Sequence, residues 1–250
     1  MKAAHEQYGN GRFLMWTLIH SFCFLTLGTY TFFFKVSGYT SLTAPAVTAA
    51  AAAAGACSFA ALMLLQGRSS VTVPNAVSLL RLVFTIAAVA LLSSGRNRWG
   101  VFMFFALAGL TDFFDGLAAR RLGSTPFGAK LDMELDAFFI FMLAIAACVY
   151  YQQKQLVLVA GLLRYAYVFL LLLLPETGDT HPVFRFLSKG ACALAEMLLI
   201  IITAPPIGTA ARSIASLTAV YVLCASFFLD LVLRVLRGSG DAASSHSVFR

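Results

Sequence analysis

Apolar positions along this chain fall in unbroken runs rather than in the alternation of a strand or the one-sided stripe of a soluble helix. Eight runs stand out, at residues 13–34, 43–66, 75–94, 99–118, 132–152, 155–175, 187–204 and 211–235. Each is near the ~20 residues that a helix needs to cross the hydrocarbon of a bilayer. Membrane β-strands would instead show segments of about ten residues that alternate in character, so the runs predict α-helices. The stretches between them are short and rich in turn formers: QGRSSVTVPN (66–75), SGRNR (94–98), PETGDTHPVF (175–184) and APPIGT (204–209). The pattern as a whole predicts an all-α, polytopic integral membrane bundle. The alanine-rich stretch 44–56 is low in complexity and makes the second span a weak helix. The polar stretch from Gly238, GSGDAASSHSVFR, reads as a disordered tail.

Composition supports the same solvent. The chain is 60% hydrophobic and 12% charged, with a mean hydropathy of +0.84, whereas a soluble domain is about one quarter charged. Cys23, Cys57, Cys148, Cys192 and Cys224 all lie inside predicted spans with no CxxC spacing, which makes them small apolar packing residues. The first apolar run exceeds a signal-peptide core and lacks a convincing small-residue cleavage site, so it reads as a retained span. Placing the Arg120–Lys130 loop in the cytoplasm puts eleven basic residues inside and five outside, which orients both termini inward although Arg96 and Arg98 fall outside. The net charge of +7 then faces anionic lipid and calls for no nucleic acid.

Against this background four carboxylates are out of place. Asp112 and Asp115 are spaced i, i+3 near the end of the fourth run, and Asp132 and Asp136 are spaced i, i+4 at the start of the fifth. Each pair shares a helix face, and two adjacent antiparallel helices would point all four at one another. Unneutralised, they would repel and some would take up protons. Divalent cations remove that difficulty, and hard oxygen ligands suit Mg²⁺ or Mn²⁺ better than zinc, so a paired-metal site is the inference. Gly116, Ala119, Gly123 and Gly128 leave room for a ligand or a partner helix, and Arg120 adds a fixed cation. Metals on phosphate oxygens beside an arginine suit a diphosphate undergoing displacement, so the substrate is expected to carry a pyrophosphate.

The spacing Asp112-x2-Asp115-Gly116-x2-Ala119-Arg120-x7-Gly128-x3-Asp132-x3-Asp136 resembles, position for position, the signature of the CDP-alcohol phosphotransferase family. VPNAVSLLR (73–81), with Pro74, Asn75 and Arg81, is similar to the segment that opens the first core helix of that family. The resemblance implies a six-helix transmembrane core, here 67–237, preceded by an added N-terminal hairpin at 1–66 and followed by the tail at 238–250. It implies that Asp112, Asp115 and Asp132 are ligands of two divalent ions, Mg²⁺ or Mn²⁺. Asp136 would contact metal and act as general base on an acceptor alcohol that displaces CMP from a CDP-linked donor. Gly116, Ala119, Arg120 and Gly128 would shape the cytidine diphosphate pocket, with Asn75 and Thr125 as further donor contacts. The Met-Glu-Leu insert between the last two aspartates departs from the Pro-x-Ala or Ser-x-Ala of glycerophosphate and serine enzymes, so no subfamily is implied.

Each residue also has an ordinary reading. Asp132 and Asp136 suit a helix N-terminus, and Asp112 and Asp115 suit interface charges paired with Arg120 and Arg121; it is the joint spacing that favours chemistry. Arg164, in the middle of the sixth run, marks a functional site by default, with a structural pairing to Glu196 or Asp230 as the alternative. Glu134 faces away from the aspartates and reads as structural, and His20 and His246 as incidental. Arg164, Arg185 and Lys189 are acceptor-binding candidates, or equally positive-inside charges. The favoured donor is CDP-diacylglycerol with a small polar acceptor, the alternative a CDP-choline or CDP-ethanolamine headgroup transferred to diacylglycerol. A transporter or scaffold is the reading from another class, but no inverted repeat of broken helices is seen. Membrane lipids are the expected surroundings, a cytoplasm-facing site the expected placement, and a homodimer one option for assembly.

Overall fold

The computed structural model describes residues 72–94, 97–122, 126–173 and 182–247, together with Thr26. The hairpin expected at 1–66, Thr125 and most of the 175–184 connection lie outside these residues. Six helices and no strands make up the described chain: α1 (Val73–Ser94), α2 (Arg98–Leu122), α3 (Pro126–Val149), α4 (Val157–Leu173), α5 (Pro182–Thr203) and α6 (Thr209–Ser247). The all-α expectation therefore holds.

Local chemistry sets the helix starts. Thr72 Oγ1 accepts the backbone N–H of Asn75 (3.4 Å) just ahead of Pro74 in the first turn of α1, and Asn97 Oδ1 accepts that of Gly100 (2.8 Å) at the start of α2. Prolines open α3 and α5, where the missing N–H costs no intrahelical bond. α3 begins six residues before the apolar run that predicts it, at Pro126, with Lys130 in its second turn. At the other end of the chain α6 runs to Ser247, over most of the segment expected to be a disordered tail. No proline follows Pro206, and the alanines of the tail support helix where the polar composition alone suggests none.

Successive helices pair as hairpins, α1 with α2, α3 with α4, α5 with α6, and α3 also packs on α1 and α5. The core follows from this. Every residue of α3 from Ala137 to Ala147 is buried, as a helix hydrophobic all round must be. Gly161 lets α4 close on α3, since a Cβ there would stand 2.8 Å from the Phe141 Cα. Outward-facing Val83, Met103, Leu194, Tyr221 and Phe228 are exposed, the distribution of side chains that face lipid. Among the described residues three stretches are long and apolar enough to cross a membrane, Val73–Leu92, Phe186–Thr203 and Thr209–Val235, and Val157–Tyr167 is a shorter apolar helix. The other two helices, α2 and α3, are those that carry the aspartates.

One end of the bundle is closed by polar contacts. Gln153, buried after the left-handed Gln152 (φ 53°), accepts from Ser213 (3.2 Å) and Ser216 (3.4 Å) of α6. Tyr151 donates to the Thr203 carbonyl (2.9 Å), and Arg212 donates to the Ala204 carbonyl (2.9 Å) while lying 4.9 Å over the Tyr151 ring. The aspartates lie toward the opposite end.

Candidate active site

The site starts from the inner face of α1. Asn75, Ser78, Arg81, Thr85 and Ala88 are all buried and recur every three or four residues, which is one stripe of a helix. The hydroxyls turn back on their own helix, Ser78 to the Pro74 carbonyl (3.1 Å) and Thr85 to the Arg81 carbonyl (2.8 Å), and so need no partner across the interface. Arg81 cannot be satisfied that way. It is 1% exposed, and its guanidinium reaches across to Asp112 of α2 and to Asp136 and Asp132 of α3, the last at 3.3 Å. Five donors in a planar fork allow one arginine to serve three carboxylates at once.

Asp112, Asp132 and Asp136 each offer an oxygen within 4.8 Å of the others, close enough to hold one metal ion. All three are partly exposed, whereas the arginine between them is not. Three carboxylates against one guanidinium leave the cluster negative. The donor set consists of hard oxygens and already encloses a cation, so it fits a divalent ion of the Mg²⁺ or Mn²⁺ type. Glu196 of α5 adds a further carboxylate nearby: it is 7% exposed and within electrostatic reach of Asp112, Asp136, Arg81 and Asp132. Its Oε1 lies against Gly109 of α2, where an added Cβ would meet it at 3.2 Å. Gly109 stands one turn before Asp112. Phe113 and Phe114, next in the chain, are exposed and meet edge to face at 5.9 Å.

The other expected residues are distributed around this centre. Asp115, Gly116, Ala119 and Arg120 continue α2 beyond Asp112 and Gly128 lies in the first turn of α3, while Asn75 is buried at the start of α1. Arg185 is in the first turn of α5 and Lys189, one turn on, is exposed. Arg164 pairs with Glu134 at 3.6 Å, not with Glu196 or Asp230. Asp230 instead accepts from Tyr167 and from Arg234 Nε (2.8 Å). The Arg164 pairing follows from register: Glu134, two residues from Asp132, turns toward α4, where Arg164 sits.

Arg81 and Glu196 stand in the arrangement in positions that the sequence reading did not give them. Arg81 was legible only as part of a helix-opening segment, yet the signal that marks Arg164, an arginine inside an apolar run, marks it equally. Glu196 carries the same signal with the opposite charge.

A family model matches the chain, that of CDP-alcohol phosphatidyltransferase, over residues 71–232. That range takes in α1 to α5 and most of α6. No curated protein and no solved structure matches.

Proposed function

The chain belongs to the CDP-alcohol phosphatidyltransferase family, and from that premise we propose that the aspartates gathered on Arg81 are its reaction centre. As a member it is an integral membrane transferase of substituted phosphate groups, acting in phospholipid synthesis by moving a phosphate-linked group from a CDP-alcohol to an alcohol. The observation that carries the assignment is the convergence of Asp112, Asp132 and Asp136 from two helices on one buried cation.

In this reading Asp112, Asp132 and Asp136, joined by Asp115 one turn along α2, hold two divalent ions. Bound there, such ions supply charge neutralisation of the donor diphosphate and of the departing CMP. Gly116, Ala119, Arg120, Gly128, Asn75 and Thr125 contact the cytidine diphosphate. Asp136 takes the proton of the acceptor hydroxyl as the new oxygen–phosphorus bond forms and the bond to CMP breaks. A neutral alcohol is a weak nucleophile, and a carboxylate at hydrogen-bond distance removes that limitation. The favoured donor is CDP-diacylglycerol and the favoured acceptor a small polar alcohol held by Arg164, Arg185 and Lys189, on the cytoplasmic side. Arg164, fixed by Glu134, is the best placed of the three to be pre-oriented for an anion.

Purified protein given CDP-diacylglycerol, CDP-choline or CDP-ethanolamine with a panel of acceptors tests the assignment through CMP release. CMP is expected only with Mg²⁺ or Mn²⁺ present and in quantity only from CDP-diacylglycerol. Full activity in EDTA would remove the metals from the mechanism, and phospholipid from CDP-choline plus diacylglycerol alone would replace phosphatidyl transfer by headgroup transfer.

A further inference from the structure

We propose that Arg81 is a mobile counter-ion of the aspartate cluster and that Glu196 is the positioning residue that receives it when a divalent cation binds, an inference that rests on the metal-dependent reading above. The starting point is a conflict over the same atoms. Arg81 donates to Oδ1 of Asp112, Asp132 and Asp136, and among the described residues these three carboxylates are near enough to share a metal ion. A guanidinium and a divalent ion repel and cannot both fill that space. That conflict disappears once Arg81 leaves.

Where Arg81 can go is restricted. At 1% exposure on the inner face of α1 it is itself shielded from water, and a guanidinium inside a membrane bundle needs an anionic partner. Among the described carboxylates near the cluster, Glu134 is taken by Arg164. Glu196 is not taken: it is 7% exposed, makes no hydrogen bond or ion pair among the described residues, and senses Arg81 together with three aspartates of its own charge. Its carboxylate lies against Gly109, and residues one helical turn apart stand about 5–6 Å from each other at Cβ. In the proposed exchange Arg81 moves from Asp112 to Glu196 by rotation of its side chain, with the helices in place. The absence of a Cβ at Gly109 lets Glu196, with Ile200 beside it, pack directly against α2 one turn from Asp112. The exchange leaves Arg81 paired in both states, with the aspartates before binding and with Glu196 after it, when the metal neutralises the aspartates.

Calorimetric titration of the full-length protein in detergent with Mn²⁺ tests this without any turnover. Relative to wild type, Glu196→Gln is expected to bind Mn²⁺ at least about tenfold more weakly, because Arg81 then has no carboxylate to receive it. Arg81→Ala is expected to bind more tightly than wild type, and adding Glu196→Gln to it to change affinity less than about threefold. Arg81→Gln, which keeps hydrogen-bonding capacity without charge, replaces the alanine variant should that one fail to fold. An equal loss from Glu196→Gln in both backgrounds would reduce Glu196 to a nearby negative charge and overturn the exchange. Unchanged affinity in Glu196→Gln alone would overturn it as well. Failure of the wild-type chain to bind Mn²⁺ would instead remove the metal-dependent reading, and this inference with it.

Discussion

Replacing Asp136 by asparagine removes a proton acceptor while leaving nearly the same volume at the junction of α1, α2 and α3. The amide oxygen can still accept from Arg81, so the guanidinium keeps its bridge between α1 and α3, and Asp112 and Asp132, the latter at 3.3 Å from Arg81, remain to hold cation. Folding and donor binding should therefore survive in part. What is lost is the proposed base. General-base assistance contributes about 10²–10⁴ in rate, equivalent to about 3–5 kcal/mol of barrier, so kcat for CMP release is expected to fall by that factor while the donor KM changes by less than about tenfold. Metal-dependent CMP release at saturating donor and acceptor measures the first quantity and a donor titration the second. An Asp136→Asn enzyme that keeps more than about one tenth of wild-type kcat would refute the assignment of Asp136 as base. A loss confined to donor KM would make it a ligand only.

Two further outcomes follow from packing and pairing. Gly161→Ala places a methyl group 2.8 Å from the Phe141 backbone and should lower stability by about 1–3 kcal/mol. Gly190→Ala, which meets nothing within 4 Å, should leave the thermal midpoint unchanged or raise it; an equal response of the two in a melting experiment would contradict the close approach of α3 and α4. Arg164→Ala removes one charge partner of the buried Glu134, at a cost of about 1–3 kcal/mol, and should raise acceptor KM. A stability loss with acceptor KM unchanged would assign Arg164 to structure alone.

The helices were legible because a bilayer demands long apolar runs, and the six runs from residue 75 onward each correspond to one. Their ends were less so. α3 begins at Pro126, where proline suits a first helical turn whatever the hydropathy, and α6 continues past Gly238 where hydropathy no longer distinguishes helix from coil. The aspartates were legible for a different reason: a carboxylate in apolar surroundings stands out singly, and four at helical spacing specify a shared face. The cation at their centre was not, because the sequence lists charges without saying which helix faces which. Arg81 precedes Asp112 by 31 residues and Asp136 by 55, and only the packing of α1 against α2 and α3 brings them together. The partner of Arg164 escaped for the same cause. Glu134 stands beside the motif in sequence, yet the turn of the helix directs it to α4.

The exposed Phe113–Phe114 pair beside Asp112 bears on how the reaction is counted. In the proposed reaction one substrate, donor or acceptor, carries acyl chains, and those chains would stay among lipids, as the exposed rings of Phe113 and Phe114 do, while its polar end reaches the carboxylates. The encounter is then lateral diffusion in a sheet, and the quantity that sets the rate is the mole fraction of the lipid substrate in that sheet. Bulk concentration governs only the water-soluble partner. Diluting the surface with inert lipid at fixed total substrate slows such an enzyme, and a Michaelis constant expressed in molar units describes the vesicle preparation more than the protein.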